Sequence, residues 1–273
     1  MYRNRLCSLS NVKKSPIKLT ACDHAPVCHG YHWQITDEET LAKLVAWVAV
    51  GRYHRAHEIL TTVKRLPKPT PTDGARKQAI ERLTVAGSVT REHRDGWVFQ
   101  IISWIAACTQ AGRKIRTSIP HTQLAGKGFD GIHVPLTEKG KSFELITICE
   151  DKATEYPRNT VSQKVWPEFE DVEEGRRDSE LTAELTAILE RAAVPDIERL
   201  LESVQWQENR HYRVSVTVTK SEDADWGGLF KGYQDAVDGS EVKKRRAETL
   251  CLPDLRKWMD AFCIKVIKIV RAL

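Results

Sequence analysis

The chain has 273 residues, more than the roughly 150 residues of a typical single domain, so it holds either one elaborated domain or a core with an appended module. Hydrophobic residues make up 41% and charged residues 29% of the chain, a balance that excludes a fibre and wholesale disorder. The seven scattered cysteines do not fit a disulfide framework, and the longest apolar run, Leu41–Val50, is too short for a membrane span. We therefore expect a cytoplasmic protein that does not associate with membranes.

The formal net charge of +5 hides an uneven distribution. Residues 1–142 carry 22 Lys and Arg against 11 Asp and Glu, whereas residues 143–204 carry 7 against 16. A basic first half favours an anionic partner. The isoelectric point of 8.8 is nevertheless below the value of about 9 that is typical of a dedicated nucleic-acid-binding domain.

The first quarter of the chain predicts helices. A capping box at residues 36–39 precedes apolar residues at helical spacing, and the helical pattern resumes after Gly51 as far as about Arg65. Three prolines within residues 67–71 then form a stiff connector. We predict an N-terminal helical module over residues 1–66 and a second domain over residues 75–273.

The second domain alternates between helical and strand patterns. A helix is expected over 75–111 and helices return between 162 and 204, while a last helix follows Pro253 and Asp254. Strands are expected over 114–119, 129–134, 143–149 and 211–220. The order helix, three strands, helix, strand predicts an α/β fold with a small mixed sheet flanked by helices.

The charged residues with the clearest chemical pattern are Asp130 and the run Glu150-Asp151-Lys152. Because side chains alternate along a strand, Glu150 and Lys152 share one face. Asp130 joins them if the strands of the predicted hairpin pair in register. The simplest alternative is that the two carboxylates lie at a sheet edge beside a solvated lysine.

Two carboxylates that converge repel each other unless a cation lies between them, and Mg²⁺ or Mn²⁺ with oxygen ligands is the usual solution. The backbone carbonyl of Asp151 is a natural third ligand. Lys152 is then suited to orient or help deprotonate a metal-bound water, or to stabilise charge on a phosphate.

In type, order and secondary structure, Asp130, Glu150 and Lys152 resemble the PD-(D/E)XK nuclease superfamily. The resemblance covers roughly residues 88–220 and implies a restriction-endonuclease-like αβββαβ core and Mg²⁺-dependent hydrolysis of phosphodiesters in DNA, sometimes RNA. It also implies supporting roles for Glu92 on the first core helix and Gln163 after the lysine. Phe129 stands where many members have proline.

The chain contains the short motif GFDGI followed by EDK, and helices are predicted at both of its ends. In these features it also resembles the nuclease subunits of Hachiman anti-phage systems. That resemblance implies DNA as a partner and a helicase or ATPase encoded separately. The chain has no phosphate-binding loop motif of its own. Two alternatives stay open: a nuclease-fold scaffold that binds DNA or a helicase without cutting, and an RNA-directed nuclease.

Two lysines are candidates for contacts with DNA phosphates: Lys127, in a glycine-flanked loop, and Lys164, beside Gln163. A turn with a solvated lysine explains Lys127 equally well. The acidic block 168–174 is expected to face solvent or a basic partner, because it would repel DNA in a cleft. The basic run 243–246 is expected to be a solvated patch.

A cluster of cysteines and histidines lies near the start of the chain, at Cys22, His24, Cys28 and His29. Zinc is normally held by four such ligands, but this spacing matches none of the usual zinc sites. A loop with ordinary buried thiols is the favoured interpretation.

Overall fold

The structure is a computed structural model that describes residues 15–61, 70–111, 115–124, 128–135, 145–204, 207–219, 225–237, 239 and 241–273. It has the α/β architecture that the sequence predicts, with helices packed on a mixed sheet. None of the helices in this part of the chain combines the length and the apolar character that a membrane crossing requires.

In the described residues, seven strands form one mixed sheet. They are β1 (Ile17–His24), β2 (Cys28–Ile35), β3 (Ile115–Thr117), β4 (Gly131–Pro135), β5 (Ile146–Lys152), β6 (Arg210–Val218) and β7 (Arg245–Cys251). Their order across the sheet is β1-β2-β7-β6-β5-β4-β3. The four strands from β2 to β5 in that order pair in parallel, whereas β1, β4 and β3 pair antiparallel with their neighbours.

Helices cover both faces of the sheet. They are α1 (Glu38–Ala49), α2 (Tyr53–Thr61), α3 (Asp73–Leu83), α4 (Arg91–Ala111), α5 (Pro157–Thr160), α6 (Trp166–Glu173), α7 (Asp178–Arg191), α8 (Ile197–Val204), α9 (Trp226–Leu229), α10 (Tyr233–Ala236) and α11 (Leu255–Ala272). A π-helical segment, Val161–Val165, joins α5 to α6.

Two hydrophobic clusters lie on opposite faces of the sheet. On β7, Ala247 belongs to one cluster and Leu250 to the other, and strand alternation points these side chains in opposite directions. We call the side that packs on α1, α4 and α11 the α4 face, and the side that packs on α6 and α7 the α6 face. The predicted burial of α4 on two sides is confirmed, because Val98, Ile102, Trp97 and Trp104 are all buried.

The first part of the chain is less helical than predicted. Within residues 1–66, where the sequence predicts a helical module, β1 and β2 form a hairpin, and β2 pairs with β7 near the other end of the chain. Gly30 permits this pairing, since a Cβ there would lie 1.6 Å from the carbonyl oxygen of Ala247. The pairing partner is more than 200 residues away in sequence, so local patterns do not reveal it.

Two other predictions differ from the structure. The helix expected over 75–111 is two helices, α3 and α4, because residues 84–90 break the pattern. The basic run 243–246 is not a solvated patch, since its second half begins β7 and Arg245 is buried. The Arg245 guanidinium donates to the carbonyls of Pro26, Val27 and Gly239, which ties β7 to the β1–β2 turn.

Candidate functional site

Strand β5 brings two of the predicted site residues to the α6 face. Glu150 and Lys152 are two residues apart, and Lys152 Nζ donates to Glu150 Oε2 at 2.6 Å. Asp130 directly precedes β4, whose Gly131 pairs with Cys149 of β5. The same Lys152 Nζ donates to Asp130 Oδ2 at 3.3 Å. The predicted convergence of the three side chains is therefore present, and we call them, with Glu168, the lysine cluster.

Asp130 is held by two further donors. The backbone N–H of Asp151 donates to Asp130 Oδ2 at 2.8 Å. The side-chain amide of Gln100, on α4, donates to Asp130 Oδ1. Gln100 was not predicted from the sequence, although a polar residue in a helix that is apolar on two sides is a signal that could have identified it.

Glu150 lies in an unfavourable position for a charged group. Its side chain is 1% exposed, and Oε1 has no hydrogen-bond partner among the described residues. Burial, followed by repulsion from Asp130, raises the pKa of Glu150 well above the usual value. A buried carboxylate oxygen without a donor is costly, and such groups often mark functional sites.

Lys152 has the opposite balance. Burial alone would lower its pKa, but the carboxylates of Glu150, Asp130 and Glu168 outweigh burial and raise the pKa of Lys152. The ammonium is therefore retained at neutral pH. In this arrangement Lys152 supplies positive charge, and it is not suited to accept a proton as a general base.

Glu168 on α6 completes the lysine cluster. Its Oε1 lies 3.8 Å from Lys152 Nζ, and its Oε2 lies 3.7 Å from an Arg177 guanidinium nitrogen. Arg177 also stacks over the Phe129 ring, 3.9 Å from its centroid. Within the acidic block 168–174, Glu168 is thus partly exposed and contacts basic side chains of the same chain, whereas Glu170 is exposed as expected.

The donor set of the lysine cluster suits a hard divalent cation. Within the described ranges, no group of three or more His, Cys, Asp or Glu side chains is arranged to hold a metal. Asp130 and Glu150 nevertheless supply two carboxylates, and Glu150 Oε1 has no donor. A two-carboxylate site matches Mg²⁺, which usually keeps several waters. The residues therefore fit such an ion, provided that the Lys152 ammonium yields its position between the carboxylates.

The supporting residues implied by the resemblance lie outside the lysine cluster. The Glu92 side chain is 69% exposed and lies 3.9 Å from an Arg256 nitrogen. It precedes Gln100 by about 12 Å of helix rise, so α4 presents Gln100 to Asp130 instead. Gln163 and Lys164 are exposed on the π-helical segment and, in the described part of the chain, form no hydrogen bond or ion pair with the lysine cluster. Lys127 lies outside the described residues.

The α4 face of β5 carries a second polar group, which we call the arginine network: Ser103, Asp151, Arg213, Arg246 and Glu248. Ser103 Oγ donates to Asp151 Oδ1 at 2.7 Å, and Arg213 donates to Ser103 Oγ at 2.9 Å. Arg213 Nε also donates to Glu248 Oε2 at 2.6 Å. Arg246 Nε donates to the other oxygen of Glu248 at 2.7 Å.

Charges in the arginine network are paired. Burial would raise the pKa of Glu248, but Arg213 and Arg246 reverse this effect and hold its pKa below the usual value. Burial raises the pKa of Asp151 to about 6, and Arg213 limits that rise. The network therefore keeps the buried Glu248 ionised, and it fixes the strand whose Asp151 N–H donates to Asp130.

Among the described residues, no three of the cysteines and histidines near the start of the chain are grouped in a way that could hold a metal. They lie in the β1–β2 hairpin. Cys28 is buried, and burial raises the pKa of its thiol to about 12. His29 Nε2 lies 3.2 Å from the carbonyl oxygen of Lys243. These contacts favour the interpretation of ordinary buried and partnered side chains.

No protein-family model matches the chain, and no curated protein matches it.

Proposed function

We propose that the chain is a divalent-metal-dependent endonuclease that hydrolyses phosphodiester bonds in DNA, built on a restriction-endonuclease-like core. The observation that carries the proposal is the lysine cluster. Asp130, Glu150 and Lys152 converge within hydrogen-bond distance, and one buried oxygen of Glu150 has no partner in the described residues. Burial and closely spaced like charges that shift pKa values are a recurring feature of catalytic sites.

Each residue has a distinct role in the proposed reaction. Asp130 and Glu150 would hold Mg²⁺ or Mn²⁺, with the carbonyl of Asp151 as a third oxygen ligand. When bound, the ion polarises the phosphoryl oxygen and lowers the pKa of water. Lys152 keeps its proton and stabilises the negative charge that develops on the phosphate. Gln100 orients the Asp130 carboxylate.

The cellular setting belongs to the same proposal and rests on the sequence resemblance. We infer a cytoplasmic effector of prokaryotic anti-phage defence, acting with a separate helicase or ATPase subunit. The uneven charge of the chain supports DNA as the substrate, because residues 1–142 carry 22 basic against 11 acidic side chains.

The experiment is a nicking assay with purified full-length protein on supercoiled plasmid, linear duplex, single-stranded DNA and RNA, with Mg²⁺, with Mn²⁺ and with a chelator. We expect cleavage of DNA that requires the metal. The variants Glu150→Ala and Lys152→Ala are expected to lose cleavage by about 100-fold or more.

Matched controls separate the cluster from the rest of the acidic surface. Glu168→Ala and Glu170→Ala change neighbouring residues of α6, but only Glu168 contacts Lys152. We expect reduced cleavage for Glu168→Ala and unchanged cleavage for Glu170→Ala. Full cutting by folded Glu150→Ala and Lys152→Ala proteins would contradict the assignment of the site.

A second candidate function is a scaffold that binds DNA or a helicase without cutting. It is favoured by the position of Lys152, whose ammonium already bridges Asp130 and Glu150. Isothermal titration with Mn²⁺ distinguishes the two candidates. Binding that disappears in Glu150→Gln supports the nuclease, while no binding to the wild-type protein supports the scaffold.

A further inference from the structure

A cleft of about 430 Å³ opens at the β3 edge of the sheet, between α2, α4 and α7. Its size suits one small-molecule unit, such as a nucleotide. The residues that give it chemical character are aromatic, basic or apolar: Tyr53, His54, Trp104, Arg116, Ile188 and Arg191.

The floor of the cleft is apolar and aromatic. Trp104 and Ile188 are almost completely buried beneath it, while Tyr53 is half-buried at the side. Trp104 Nε1 donates to Thr117 Oγ1 at 2.9 Å, which fixes the orientation of the indole. The half-buried ring of Tyr53, beside this apolar wall, is suited to receive another flat ring.

The rim of the cleft is basic. Arg116 and Arg191 are both exposed there, and Arg191 Nε donates to the carbonyl oxygen of Ala187 at 3.0 Å, which anchors its side chain. His54 and His57 line the same opening. Guanidinium groups above an aromatic floor match an anionic group attached to a flat base, which is the chemistry of a nucleotide.

One residue of the cleft, Trp104, lies near Asp130 of the lysine cluster. Trp104 also lines a smaller cavity that is bounded by Asp130, and Ser118 of the same cavity directly follows β3. Arg116 pairs with Val134, four residues after Asp130. That separation corresponds to about 14 Å of β-strand, which an extended nucleic-acid strand spans within a few nucleotides.

We propose that this cleft binds an unpaired nucleotide of the substrate strand, a few positions from the bond that is cut. The inference rests on the proposed nuclease function and names its preferred substrate: DNA with a single-stranded segment. A base stacked inside a duplex is not available to a cleft of this kind, whereas the bases of a single strand are.

The test measures binding without metal by fluorescence anisotropy. The probes are a labelled single strand and the matching duplex. The single strand has about 12 nucleotides, which is within the usual site sizes of single-strand binders. Tyr53→Leu and Arg191→Gln are expected to weaken single-strand binding about fivefold or more, the lower range for loss of one stacked base. For Arg191→Gln the salt dependence of the affinity should also fall by about 0.7 in slope. Duplex binding should change little.

Arg199→Gln is the matched control, since Arg199 is exposed on the neighbouring helix α8 and does not line the cleft. Circular dichroism checks the folding of each variant. Unchanged single-strand binding by folded Tyr53→Leu and Arg191→Gln proteins would overturn the proposal. The proposal would also be overturned if an acidic peptide bound the wild-type cleft more tightly than the single-stranded DNA does.

The two proposals fail in different ways. Single-strand binding through the cleft without any metal-dependent cleavage would contradict the proposed nuclease and leave the nucleotide site standing. Metal-dependent cleavage by a protein whose cleft variants bind and cut like the wild type would contradict the nucleotide site alone.

Discussion

The two faces of β5 carry polar groups of opposite character. On the α6 face, Lys152 contacts Asp130, Glu150 and Glu168, and one Glu150 oxygen has no partner in the described part of the chain. On the α4 face, both oxygens of Glu248 accept from arginine, and Asp151 accepts from Ser103. Successive side chains of β5 therefore point to different environments. On the α6 face three carboxylates surround one lysine, whereas on the α4 face the carboxylates are paired.

This difference between the two faces suggests that the arginine network contributes to stability and the lysine cluster to chemistry. A buried ion pair with satisfied hydrogen bonds is strongly destabilising to break, because the remaining charge is left without a partner. A cluster with excess carboxylate charge does not contribute in this way, and proteins retain such arrangements at functional sites. Substitutions on the two faces should therefore affect different measurements.

Glu248→Gln should produce the largest loss of stability. It leaves Arg213, which is 1% exposed, without its carboxylate. We expect the free energy of unfolding in urea to fall by about 3–5 kcal/mol. Glu170→Gln, on the surface of α6, should change it by less than about 0.5 kcal/mol. If both variants lowered the free energy of unfolding equally, the arginine network would contribute no more to stability than a surface residue.

Glu150→Gln should have the opposite profile. Removing one preorganised charge is expected to reduce cleavage by about 100- to 1,000-fold. Because the pKa of Glu150 is raised in the folded protein, its charge costs stability at neutral pH. The urea midpoint should therefore stay the same or increase. A large loss of stability would show that the lysine cluster is structural.

Lowering the pH should weaken the arginine network. The pKa of Glu248 in the folded protein is below its ordinary value of 4.5, so its stabilising effect is present above that value. The effect is lost as the pH falls through the lowered pKa, by about 1.4 kcal/mol for each pH unit. The difference in unfolding free energy between wild type and Glu248→Gln should be constant near neutrality and should shrink in acid.

Gln100→Leu should have the smallest effect of the three substitutions in the lysine cluster, its support and the arginine network. It removes the amide that orients Asp130 while leaving the charges of the lysine cluster in place. We expect cleavage to fall about tenfold, as for other residues that orient a ligand. Gln78→Leu, at an exposed position on α3, is the control and should cleave normally.

The sequence predicts the parts of the site that depend on local geometry. The period of two along a strand is sufficient to bring Glu150 and Lys152 to one face. A hairpin in register then brings Asp130 beside them. These predictions require only the order of residues along a strand and the pairing of two strands.

The remaining parts depend on packing between distant segments. Glu168 contacts Lys152 from α6, which follows a π-helical segment, and a regular helical period does not predict this contact. Gln100 faces Asp130 across 30 residues of sequence. The charged residues of β7 do not predict a buried strand from the sequence alone. In the structure, Glu248 accepts hydrogen bonds from Arg213 and Arg246.

The order of the strands has a consequence for synthesis of the chain. Strand β7 follows every other strand in sequence, yet it lies in the sheet between β2 and β6. Until residues 245–251 leave the ribosome, the β1–β2 hairpin lacks its neighbour and β6 has an open edge. Nascent chains should therefore stay open at the middle of the sheet, and the β1–β2 hairpin can join the other strands only after β7 has been synthesised.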